Sequence, residues 1–268
     1  MPKIDIAGLE IHYVEEGSGD TLLVFPDNLH ASSAYLDEID HFSDRFQVLS
    51  FDYPGAGRST REVMYQDERE YDLWNFRADL ACHLLLDLDI AESYVLGAGG
   101  GALAALHFAG RQAELHSIEA KGLIADSFLS SLDDRTLHRW LDAREHYYVR
   151  NTKSLTQEHG DDWRQVVDAD TAFMRRLADQ GGYAVPDFVL NGIRCSVLLT
   201  GTQQDPVLPG IAQAFARISS IVPDCSLFLP SRSGNPYGEE HPLMWTNPDL
   251  FRSTADVFLS RWQEPEGH

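Results

Sequence analysis

Apolar and polar positions along the chain follow two periods. Residues 4–6 and 9–14 alternate, with Asp5, Glu10 and His12 set between apolar neighbours, which predicts an antiparallel hairpin at a sheet edge. Residues 21–25, 48–51, 94–96, 123–125 and 197–200 are apolar almost without interruption, as strands buried on both faces are. Between them, helical spacing appears near residues 33–43, 72–87 and 101–114. The last of these, GALAALHFAG, is small or apolar all round and predicts a helix buried against the sheet. Strand and helix in alternation imply a mostly parallel sheet covered on both faces, with ligands at the carboxyl ends of its strands.

From residue 127 to 191 the pattern turns helical only. Leu137, Trp140, Leu141, Arg144 and Tyr148 keep helical spacing, Phe173, Met174 and Leu177 repeat it, and Gly181 and Gly182 supply a stop. β-type sequence returns at Cys195. The predicted organisation is therefore a core of residues 1–126 and 193–268, interrupted by a helical cap over 127–192. Most of the cap aromatics are expected to pack the cap on itself, and a few to face the cleft below. The tail QEPEGH is expected to fray.

Composition narrows the class. The 268 residues, 43% apolar and 24% charged, suit an ordinary globular chain. A formal charge of −21 would repel phosphate backbones and anionic lipid, so nucleic acid and membrane are excluded as expected partners. Cys82, Cys195 and Cys225 have no metal-ligand spacing and read as buried thiols. The N-terminus lacks a basic start and an apolar core, and no apolar run approaches the ~20 residues of a membrane span. A cytoplasmic protein, monomer or homodimer, is expected.

The chemistry concentrates in residues 93–108, SYVLGAGGGALAALHF, a strand running through glycines into a helix. No G-x-G-x-x-G dinucleotide fingerprint fits it. Residues 51–59, FDYPGAGRS, carry a D-x-P-G-x-G-x-S turn through Asp52, Pro54, Gly55, Gly57 and Ser59. VLLTGTQQDPVLP places Asp205 after a buried strand, and EEHPLMWTNPDLF places His241 just before the last helix. Taken together these segments resemble the α/β-hydrolase superfamily, from the first strand to about residue 262. The resemblance implies that fold, with a strand-to-helix nucleophile elbow G-x-S-x-G and a triad in the order nucleophile, acid, histidine. It places Gly99 at the nucleophile position, Asp205 as acid and His241 as base. Asp126 is an alternative acid, and Ser127 lies near enough to the cleft to be considered as a nucleophile.

Two departures matter. Glycine has no oxygen or sulfur to activate, so the covalent serine cycle is excluded for this chain. The loop after the third strand, which family members commonly begin with His-Gly, reads Pro26-Asp27. The oxyanion hole would then combine the N–H of Gly100 with one from Asn28 or Leu29. Asp27 either caps the following helix or points a carboxyl inward, where an ionised form disfavours an oxyanion and a protonated form donates to it. Substrate-lining candidates are Asp27, Leu29, Trp140, Leu243, Met244 and Trp245, with Tyr237 supplying a hydroxyl. No metal or cofactor motif is found.

The expected function is binding of a small, neutral, apolar molecule under the cap. Any hydrolysis of an ester or lactone, or proton transfer in a cofactor-free lyase or isomerase, would use water with the His241–Asp205 dyad. The alternatives are a non-catalytic binding protein or receptor, and a serine esterase silenced at residue 99.

Overall fold

A computed structural model describes residues 2–61, 73–111 and 118–262. The polar–apolar alternation at the start forms the antiparallel pair β1 (Lys3–Ile6) and β2 (Leu9–Gly17). The apolar runs become β3 (Thr21–Phe25), β4 (Gln47–Phe51), β5 (Glu92–Ala98), β6 (Glu119–Asp126) and, after an insertion, β9 (Ser196–Thr200) and β10 (Cys225–Phe228). The eight strands lie in the order β1-β2-β4-β3-β5-β6-β9-β10, and every neighbouring pair from β4 to β10 is parallel.

Burial on both faces explains why these runs carry no alternation. Leu22 and Val24 enter one hydrophobic cluster while Leu23 and Phe25 enter the other, so the single strand β3 supplies both layers. One face is covered by α2 (Leu73–Asp87), α3 (Gly100–Gly110) and α7 (Ile211–Ile221), the other by α1 (Leu36–Ser43) and α9 (Pro248–Leu259). Helix α3 is buried along almost its whole length, as its composition predicts. It lies so close to β3 that a Cβ on Gly101 would sit 2.1 Å from the carbonyl oxygen of Phe25. Residue 72 of the second predicted helix and residues 112–114 of the third fall outside the described residues, as does the tail from residue 263.

The segment expected to be helix only contains strands as well. The insertion between β6 and β9 opens with β7 (Ser131–Asp133), which pairs antiparallel with β8 (Gly182–Ala184). Gly182, at φ +101°, carries no Cβ where one would stand 2.0 Å from the Leu132 carbonyl, so the glycines that read as a helix stop also permit this strand pairing. Between the two strands run α4 (Asp134–His159), capped by the Asp133 carboxyl accepting from the Thr136 N–H at 2.7 Å, and α5 (Trp163–Asp179). The last insertion helix, α6 (Asp187–Gly192), packs on α3. Among the described residues no helix is long and apolar enough to cross a membrane.

Candidate active site

The carboxyl ends of β3, β5, β6 and β9 bring the predicted residues together. Asp205 follows β9, where one carboxylate oxygen accepts from the backbone N–H groups of Val207 at 2.8 Å and Leu208 at 3.2 Å. Its other oxygen stands 2.7 Å from His241 Nδ1, and the Asp205 side chain is fully buried. A carboxylate so placed can only accept, so Nδ1 carries the proton and Nε2 is left as the basic nitrogen. The His241 side chain is 22% exposed, and among the described residues Nε2 has no partner. Burial lowers the His241 pKa, but the hydrogen bond to Asp205 and the charges of Asp205, Asp27 and Asp126 outweigh it, holding the value above the ordinary 6.5.

The loop carrying His241 is clamped from the end of β6. The Met244 N–H donates to Asp126 at 3.1 Å and the Leu243 N–H to the Ser127 hydroxyl at 2.9 Å. Asp126 also accepts from the Thr200 hydroxyl at 2.7 Å. Burial pushes its pKa up to about 6, against the pull of these hydrogen bonds and of His241. Asp126 and Ser127 therefore hold the histidine segment, while Asp205 is the carboxylate on the imidazole.

Residue 99 forms the sharp turn between β5 and α3, with φ +55° and ψ −122°. Backbone strain of this kind is tolerated by glycine. The space beside it is taken: a Cβ on Gly99 would lie 2.6 Å from Asp27 Oδ2 and 2.7 Å from its Cγ and Oδ1. Asp27 thus points inward and does not cap the next helix, whose first N–H, that of Ser32, donates to Asp52 instead. The reason lies in two backbone donors. Gly100 N–H and Asn28 N–H each donate to Asp27 Oδ1 at 2.6 Å, and Gly100 opens α3, where the helix dipole favours an anionic oxygen. Two of the three expected oxyanion donors, the Gly100 and Asn28 N–H groups, are therefore already spent on a side chain of the same chain.

That loop is held rigidly. The Asp27 N–H donates to the Tyr35 hydroxyl at 2.9 Å, and the Tyr53 hydroxyl donates to the Pro26 carbonyl at 3.0 Å. The buried Arg77 guanidinium lies 4.0 Å from the Tyr53 ring centre and donates to Asn28 Oδ1. Below, the Asp52 carboxylate gathers the Ser32 N–H and hydroxyl, the Arg58 N–H and His12 Nδ1, at 2.7 to 2.9 Å. The D-x-P-G-x-G-x-S turn is thereby a brace for the β3 loop.

Several polar groups escaped sequence reasoning. Glu158, near the end of α4, receives the Ala31 N–H at 3.0 Å and meets His30 Nδ1 at 3.0 Å. His159 bridges the Leu29 carbonyl and the Gly57 N–H, both at 2.9 Å. Tyr147 Oη lies 3.4 Å from His30 Nε2. An adjacent Glu-His pair closing a long helix was the available signal, but its partners are about 130 residues distant in the chain.

The remaining candidates are dispersed. Trp140 Nε1–H donates to the Val207 carbonyl at 2.9 Å, tying α4 to the acid loop. Leu29 packs with Tyr148, Leu155 and Val167 of the insertion. Trp245 is half-buried against His30 and Tyr35, with ring centres 4.9 and 5.6 Å apart. Leu243 and Met244 are wholly buried in the cluster under the opposite sheet face, and Tyr237 is 88% exposed on the loop before His241. The three thiols are free and held protonated by burial, pushed up to about 12, 12 and 11 for Cys82, Cys195 and Cys225. Among the described residues no group of side chains is arranged to hold a metal ion.

No protein-family model and no curated protein sequence matches the chain. Solved structures do. The enol-lactonase of Burkholderia xenovorans superposes with a TM-score of 0.69 at 18% identity, covering 97% of this chain and 100% of that one. An E-2-(acetamidomethylene)succinate hydrolase gives 0.71 at 18% identity, with 97% and 98% covered. A bacterial membrane phospholipase A gives 0.73 at 18% identity, with 98% and 86% covered. With the mostly parallel eight-stranded sheet, these likenesses show that the chain has the α/β-hydrolase fold.

Proposed function

We propose that this protein is a hydrolase of small neutral molecules that works without a serine nucleophile, using His241 as general base on water and Asp205 to fix the imidazole tautomer. The observation that carries the reading is the His241–Asp205 contact of 2.7 Å, with Nε2 unpartnered among the described residues and the imidazole 22% exposed. The buried carboxylate is satisfied by two backbone N–H groups and the imidazole N–H, which fixes the tautomer that leaves Nε2 as a base. The insertion serves as the cap: α4 touches the acid loop through Trp140 and the β3 loop through Glu158 and His159. That the structural relatives are named as a lactonase and hydrolases is in keeping with this class of reaction.

A second reading, a binding protein without turnover, is favoured by one observation. Asp27 fills the space at Gly99 and takes the Gly100 and Asn28 N–H groups. The two readings separate when the chain and its His241→Ala variant are assayed against a panel of nitrophenyl esters, lactones, epoxides and bromoalkanes, with fluorophosphonate labelling alongside. Turnover that requires His241 and proceeds without labelling is the expected result. Absence of any His241-dependent turnover overturns the hydrolase reading in favour of binding.

A further inference from the structure

The oxygen nearest the vacant nucleophile position belongs to Asp27. Its carboxyl covers the point where a Cβ on Gly99 would stand, so from the loop after β3 it occupies the volume a side chain at residue 99 would take. The two oxygens are not equivalent. Oδ1 accepts both the Gly100 and the Asn28 N–H, whereas Oδ2 has no hydrogen-bond partner among the described residues. His241 is close enough for its charge and that of Asp27 to be coupled, and its Nε2 is equally unpartnered. One pinned oxygen, one free oxygen and a basic nitrogen at the same site form a complete set for a two-step displacement.

We propose that Asp27 is the covalent nucleophile of this site, and that the substrates are small neutral molecules with an electrophilic tetrahedral carbon, an epoxide or a halogenated alkane. The proposal rests on the reading above that the His241–Asp205 dyad activates water. The choice of electrophile follows from the donors. Attack by Oδ2 on an ester would build a negative oxygen on the substrate, and the Gly100 and Asn28 N–H groups at that place are engaged by Oδ1. Displacement at a halogenated carbon carries the charge away as halide, and epoxide opening places it on an oxygen that water protonates, so neither step calls on those two N–H groups.

In the first step an Oδ2 lone pair forms a bond to carbon, and the carbon–halogen or carbon–oxygen bond breaks with its electrons. Halide leaves as the anion, or the epoxide oxygen takes a proton from water. The product is an alkyl ester of Asp27. In the second step His241 Nε2 removes a proton from water, and the resulting hydroxide adds to Asp27 Cγ. The negative charge then falls on Oδ1, where the Gly100 and Asn28 N–H groups already point. Collapse breaks the Cγ–Oδ2 bond, the departing alkoxide takes the proton from His241, and the acid ionises to restore the carboxylate. The alcohol leaves with an oxygen from Asp27, and the oxygen from water stays on the protein.

The test follows that oxygen. Full-length protein in excess is reacted for a single turnover with styrene oxide or with 1-bromobutane in oxygen-18 water, and product and peptides are weighed by mass spectrometry. The expected result is label in the peptide containing Asp27 and unlabelled alcohol. The His241→Gln variant should accumulate the peptide heavier by one alkyl group, and Asp27→Asn should accumulate none. The two probes separate epoxide from halide chemistry. Label appearing directly in the product, with turnover still dependent on His241, overturns the Asp27 assignment and leaves the general-base reading standing. Neither turnover nor adduct with either probe overturns the Asp27 assignment, and the general-base reading then stands or falls on the ester and lactone panel.

Discussion

Placing serine at residue 99 tests the account of the elbow most directly, because the structure predicts that Gly99→Ser alone fails and that it succeeds once Asp27 is removed. A side chain at φ +55° and ψ −122° carries backbone strain of about 1–3 kcal/mol. Its Cβ would also stand 2.6–2.7 Å from the Asp27 carboxyl, which must swing away and give up its two N–H bonds. Hydrogen bonds to a charged group contribute about 1.5–3 kcal/mol each, so displacing Asp27 costs roughly 3 kcal/mol or more. Asp27→Gly loses the same two bonds. In the double variant that loss is incurred once, so the summed destabilisation of the two single variants should exceed that of the double by about 3 kcal/mol. Urea unfolding of the four proteins gives the cycle. Fluorophosphonate labelling gives an independent readout: Asp27→Gly/Gly99→Ser should label at residue 99, because the Gly100 and Asn28 N–H groups are released to hold the oxyanion, while Gly99→Ser should not. Additive destabilisation to within about 0.5 kcal/mol, or equal labelling of single and double variants, would show that Asp27 does not occupy the site.

Further outcomes follow from the same geometry. His241→Ala should lower turnover by about a hundred- to ten-thousand-fold. Since the base must be neutral and its folded pKa is raised, the rate should be lost as pH falls through a midpoint above the ordinary 6.5, as a pH–rate profile would show. The His30–Glu158 pair joins a histidine whose folded pKa is raised to a glutamate whose folded pKa is lowered, despite burial opposing both. Its contribution is present above the glutamate's unfolded 4.5 and below the histidine's unfolded 6.5, and is lost as pH rises through the folded histidine value or falls through the folded glutamate value. Glu158→Ala should thus cost most near the middle of that window, about 3–5 kcal/mol by thermal unfolding, and an equal cost at alkaline pH would count against the pairing. Asp126, raised to about 6, binds its proton in the folded chain before the unfolded one, so it adds stability as pH falls through 6; a carboxyl NMR titration should find that midpoint. Trp140→Phe removes the indole donor to the Val207 carbonyl and should cost about 1 kcal/mol in urea unfolding.

Much of this was legible in the chain as written. Continuous apolar runs identified the strands because a strand buried on both faces, such as β3 with Leu22 and Leu23 entering opposite clusters, leaves no place for alternation. Asp205 and His241 could be singled out because each sits in a segment with a family-like pattern; Asp205 is also fixed locally by the Val207 and Leu208 N–H groups, whereas the His241 loop is clamped from the end of β6, more than a hundred residues away. The tertiary structure alone decided what depends on groups distant in sequence. The orientation of Asp27 was open because two donors compete for it, and the N–H of Gly100, brought within 2.6 Å from seventy-three residues away, resolves that competition. The strands within the insertion and the grip of Glu158 and His159 on the β3 loop are likewise long-range pairings. Hydrophobic periodicity reports how a residue meets its own element, whereas the partner that satisfies a buried polar atom is set by where the other elements pack.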